Sequence, residues 1–208
     1  VGDISFETTL ARNMTSSRVI GLYGKEDSDI HDYCHVLDPK VNIRAAIIGE
    51  TVKKGTELFI VLDKPLDAGE QGIIHVKTDC KYKRNPFAED GGQFFGELDW
   101  YCYTEEGFVP MKVQDETRGF LTDGLMYFIQ PEQPPKKYED GPISGYVWKA
   151  VVKDTDYDIV PEISYMTSFL FPVIQKETHV ITHSFQKASD VFLNCAMIEN
   201  GYVRVFCK

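Results

Sequence analysis

The chemistry-bearing residues of this 208-residue chain come in small groups. His31, Cys34 and His35 lie within five positions. On a helix over 27–37, capped by Asp27 or Ser28, the two histidines would share a face at i, i+4, a spacing that can hold a metal. No third ligand is evident, and Asp32-Tyr33 after His31 rules out a zinc-protease HExxH pattern. The plainer reading is a polar surface helix. His179 and His183 also sit four apart, and on a strand they share one face. Asp154, Asp156 and Asp158 begin like a calcium loop, but Ile159 stands where glycine is needed and Tyr165 where the closing glutamate belongs. Asp115 and Glu116 are adjacent carboxylates, whereas a glycosidase pair must face each other across a sugar. Asp115 and Thr117 read more simply as turn residues that cap backbone N–H groups. No GxSxG, P-loop, GxGxxG or CxxC motif occurs. The expectation is a protein that is not an enzyme, with no metal and no cofactor.

Trp100, Tyr101, Tyr103 and Phe108 fall in the stretch DWYCYTEEGFVPMKVQDET, residues 99–117. Strand alternation sends Trp100 and Cys102 to one face and Tyr101 and Tyr103 to the other. One face must be core. The other is open to solvent, to a ligand or to a neighbouring subunit.

The elements that position these residues are predominantly strands. Alternating or β-branched runs occur at 4–10, 41–49, 57–63, 71–79, 98–104, 107–115, 124–130 and 144–154. The 57–63 and 71–79 runs are expected to pair as a hairpin across Pro65 and Gly69. Gly107 can close the 98–115 hairpin in a left-handed conformation. Residues 131–142 read as a Pro-rich loop, and 164–171 is a second helix candidate. The predicted fold is all-β, a β-sandwich or jelly-roll-like architecture with few short helices. Residues 51–170 form the main module. Residues 1–50 add strands or link from an upstream domain, and 171–208 begin a second β module or return to the first sheet.

A formal net charge of −10 argues against nucleic acid or an anionic membrane as the main partner. No apolar run approaches the roughly 20 residues of a membrane helix. The five cysteines show no framework spacing, so reduced thiols in a cytoplasmic compartment are expected. The chain lacks an initiator methionine and stops within a strand-like pattern at YVRVFCK, which suggests a piece of a longer or processed protein.

In order along the chain, ELFIVLDKPL, the LDWYCYT strand, GFVPMKVQDET, DGLMYFIQP, YVWKA and PEI cover residues 57–163, about half the chain. This order resembles a recurring block of baseplate proteins in phage tails and phage-tail-like contractile injection systems. Leu58 to Pro65, Trp100 and Tyr103, Gly107 to Pro110, Val113 with Asp115 and Thr117, Asp123-Gly124 with Phe128 and Pro131, and Val147 to Ala150 fit its places. Phe108 stands where the pattern has Trp, Asp123 where it has Ser, and Lys149 where it has Arg. The resemblance implies a structural, non-catalytic baseplate component that packs against other tail subunits, cytoplasmic during assembly and then particle-associated. Trp100, Tyr103, Phe108, Asp115, Thr117 and Trp148 are its structural or interface candidates. The alternative is a carbohydrate-binding β-sandwich for adhesion or receptor recognition.

Overall fold

In the computed structural model, the described residues are 6–8, 17–78, 97–153, 160–168, 170 and 173–175. The fold is all-β, with strands β1 (Phe6–Thr8), β2 (Val19–Glu26), β3 (Asp29–Asp32), β4 (Glu57–Leu62), β5 (Gln71–Thr78), β6 (Leu98–Thr104) and β7 (Gly107–Pro110). It continues through β8 (Lys112–Asp115), β9 (Gly124–Ile129), β10 (Lys137–Asp140), β11 (Ile143–Val152), β12 (Ile163–Thr167) and β13 (Val173–Gln175). Among the described residues the helical content is one 3-10 turn, Cys34–Leu37, and no helix is long and apolar enough to cross a membrane.

One compact unit runs Thr8–Val173. It contains an antiparallel sheet ordered β3-β2-β4-β11-β6-β7, with β10 also on β11, and a second ordered β12-β5-β9-β8. The other unit joins Val1–Glu7 with Ile174–Lys208, and its described part is the pairing of β1 with β13.

The two larger sheets bury one core. Alternation sends Leu58, Ile60, Trp100, Trp148 and Ala150 inward from the first sheet, and Ile74, Val76, Met126 and Phe128 inward from the second. Phe128 and Trp148 lie parallel across the interface, centroids 4.3 Å apart, and Trp100 meets Phe128 edge-on at 5.0 Å. Gly72, opposite Phe128 on β5, makes room for this stack. A Cβ at Gly72 would come within 2.5 Å of Trp148 Cη2.

Several expectations are corrected. The 57–63 and 71–79 runs do not form a hairpin: β4 pairs with β2 and β11, whereas β5 pairs with β9 and β12 in the opposite sheet. The 107–115 run is two strands. At Met111, whose N–H donates to Trp100 O at 2.8 Å, the chain leaves the first sheet and enters the second. Such a corner lets one run serve both layers. The 41–49 run contributes a single bridge, Ala45 to Ile163, because consecutive Ile47 and Ile48 both point into the core and alternation fails. The helix over 27–37 is replaced by strand β3 and the 3-10 turn, since β3 completes a ladder with β2. The helix candidate at 164–171 contains strand β12 instead. Strand β2 was not anticipated; Gly21 and Gly24 weaken its pattern. Its pairing with β4 places β2 and β3 in the same sheet as β4, whereas β1 pairs with β13.

Candidate interaction surface

Strand β4 is apolar without interruption from Leu58 to Leu62, and all five residues are buried. A run of that kind needs cover on both faces. The inner face meets the second sheet. On the outer face Phe59 and Val61 join Val147 and Ile143 in a second cluster, with Tyr23, Ile30, Tyr103, Phe108 and Tyr138 packed around it.

Cross-strand register builds this outer surface. Lys149 on β11 lies opposite Phe59 on one side and Tyr101 on the other. Tyr103 lies opposite Phe108 in the β6–β7 hairpin. That hairpin closes on Glu105-Glu106, with Gly107 at φ 94°, a left-handed value that glycine accepts freely. The buried Thr104 hydroxyl donates to Gly107 O at 3.0 Å and accepts from Glu106 N at 3.2 Å, which fixes the turn. Phe108 is thereby held against Tyr103 at 5.0 Å and Tyr138 at 5.3 Å. Tyr138 also stacks on Phe59 at 5.8 Å. The Lys149 ammonium sits 4.1 Å above the Phe108 centroid and donates to Glu57 Oε1 at 2.7 Å. Its charge is balanced by a carboxylate and by ring faces together. Tyr101, Tyr103, Phe108 and Tyr138 are each half-buried.

Strand β10 supplies the cover. The β10–β11 hairpin bends at Gly145, φ 148°, and crosses the outer face. Tyr138 lies on β4, Lys25 Nζ on β2 donates to Asp140 Oδ2 at 2.6 Å, and Gly141 reaches Ile30 on β3. The hydrogen bond from Lys25 holds the Asp140 carboxyl below the usual carboxylate range and raises the Lys25 ammonium.

The sequence candidates separate into three places. Trp100 and Trp148 are core, at 7% and 2% exposure. Tyr103 and Phe108 belong to the outer surface. Asp115 and Thr117 build a turn: Asp115 accepts from Thr117 N and Oγ1 at 2.7 and 2.6 Å and from Gly119 N at 2.8 Å. Thr117 Oγ1 in turn accepts from Phe120 N at 2.9 Å. This holds Arg118, Gly119 and Phe120 at φ 58°, 68° and 68°, and delivers the Phe120 ring beside Trp100 in the core. The carboxylate is occupied by its own backbone. Sequence reasoning missed Phe59, Tyr138 and Lys149. The signal for Phe59 was the unbroken apolar run of β4. Tyr138 sat in a stretch read as loop.

His31 is exposed on β3 and stacks on Tyr33, centroids 6.3 Å apart, while His35 lies in the 3-10 turn, so the helical i, i+4 face does not form. Burial, followed by a hydrogen bond to Asp32, raises the Cys34 thiol. The hydrogen bond shared with Cys34, then burial, pushes Tyr23 up to about 12. Among the described residues no three His, Cys, Asp or Glu side chains group as a metal site. His179, His183, Asp154, Asp156 and Asp158 lie outside the described residues. No protein-family model matches the chain, and no curated protein matches its sequence.

Proposed function

We propose that this chain is a structural subunit of a phage-like baseplate, in a contractile tail or injection particle, and that its outer sheet face packs against other tail proteins. The role is assembly, without catalysis. The observation that carries the reading is the half-buried aromatic surface of Tyr101, Tyr103 and Phe108 on the side of the sheet opposite the core. Apolar surface of this kind beside a neutralised lysine suits burial against a neighbour. The ordered sequence block over 57–163 supports the same reading. A carbohydrate-binding module would need exposed rings with convergent polar groups. Burial of both tryptophans, and occupation of the Asp115 carboxylate by hydrogen bonds within its own turn, favour assembly over sugar binding.

The test is co-expression of the chain with the products of its gene neighbourhood. Recovery of sheath, tube or other baseplate subunits with the chain is expected. Recovery of none of them, with retention on a glycan array, would replace this reading by the carbohydrate-binding one.

A further inference from the structure

We propose that two copies of this chain pair through strand β8, edge to edge and antiparallel, about a two-fold axis at Gln114. The edge belongs to the second sheet, so its pairing is independent of the outer face of the first sheet and of the baseplate reading.

The second sheet ends on β12 and on β8. The β12 edge is held at both ends: Ala45 and Ile163 exchange backbone hydrogen bonds at 3.0 Å, and Ser168 Oγ accepts from Val19 N at 3.1 Å. Among the described residues β8 has no strand on its other side. Glu116 N donates to Leu125 O at 3.0 Å. Antiparallel alternation then turns the backbone groups of Lys112, Gln114 and Glu116 toward β9, and those of Val113 and Asp115 toward the open edge. Two such edges satisfy each other when Val113 of one copy lies opposite Asp115 of the other, each exchanging N–H and C=O.

Charge selects a second copy as the occupant and fixes this register. Lys112, Gln114 and Glu116 are exposed and alternate onto the outward side of β8. With Val113 opposite Asp115, Lys112 of each copy faces Glu116 of the other. The two Gln114 amides meet on the axis, where one donates to the other. A two-residue slip one way sets Lys112 against Arg118, a like charge. A slip the other way sets it against Gln114 and leaves Glu116 opposite Pro110. A one-residue slip puts the open backbone groups out of phase. A lysine on a strand edge ordinarily deters pairing. Here the same strand carries the counter-charge at the spacing that an antiparallel copy brings opposite. The pairing joins two four-stranded sheets into one.

Sedimentation velocity of the chain across a concentration series tests this. The wild type is expected to form a dimer. Lys112→Glu alone and Glu116→Lys alone each set like charges opposite at both symmetric contacts, so each should weaken the dimer about tenfold. Mixing the two single variants restores opposite charges at both contacts, so a mixed dimer is expected to form more tightly than either variant with itself. The double variant, Lys112→Glu with Glu116→Lys, reverses the pair and should recover the wild-type dimer. Both substitutions fall on exposed side chains, and circular dichroism checks that each variant folds. A wild type that stays monomeric across the series would overturn the proposal, as would a dimer that both single variants leave unchanged.

Discussion

The Lys149 ammonium lies 4.1 Å above the centre of the Phe108 ring and 2.7 Å from Glu57 Oε1, with its side chain 14% exposed. This one cation, on β11, ties β4 and the β6–β7 hairpin together on the outer face. Lys149→Met keeps the stem and removes the charge. Glu57 then loses its partner, and unfolding in urea should show a loss of about 1–2 kcal/mol. Unchanged stability would mean that the charge is idle and only the stem packs.

Gly72 tests the inter-sheet core. Its missing side chain admits Trp148, which stacks on Phe128. Gly72→Ala should destabilise by about 1–3 kcal/mol through overpacking. Trp148→Ala should cost about 3–5 kcal/mol through loss of the ring and the cavity left behind. A smaller effect of the alanine at 72 would show that the indole can shift.

Asp115 is expected to act on folding alone. Its carboxylate accepts the backbone N–H groups of Thr117 and Gly119, so Asp115→Ala should lower stability by about 0.5–2 kcal/mol. Asp115→Asn, which keeps one acceptor oxygen, should recover part of this in thermal unfolding. Abolition of a hydrolytic activity by the alanine variant would instead place the residue in a catalytic site.

Tyr23 makes stability sensitive to strong alkali. Its phenol is held protonated up to about 12, against an ordinary 10.0, by the hydrogen bond with Cys34 and by burial. The folded state therefore favours the proton more than the unfolded state does. That contribution is complete below pH 10.0 and is lost as pH rises toward 12. In an absorbance titration of phenolate, Tyr23→Phe should remove a late-ionising group. Removal of a group with an ordinary midpoint would contradict the geometry.

Much of the strand content was legible because one-sided strands alternate. In LDWYCYT, inward Trp100 and Cys102 separate from outward Tyr101 and Tyr103, and the structure keeps that division. Sheet membership was not legible. β4 and β5 follow one another across a short loop, as hairpin strands do, and only tertiary pairing sends them to opposite layers. Nothing local marks Met111 as the corner between sheets, since both flanking strands have ordinary patterns. Strand β10 was hidden by prolines, which read as loop although it pairs at the edge where proline-bordered strands are tolerated. The candidate surface was half legible. Tyr103 and Phe108 could be named, but Phe59, Tyr138 and Lys149 reach them only through cross-strand register.

We propose that the outer face packs against tail proteins, and its exposed lysines make that contact readable. Lys136 and Lys137 are exposed beside Tyr138 and carry reactive amines. Amine cross-linking of intact particles, followed by mass spectrometry, reads their neighbours directly. The account predicts links from these lysines to sheath, tube or other baseplate proteins, diminished by Phe108→Glu in a chain that still folds. Particles that lack the chain, or links from this face that stay within it, would contradict the claim.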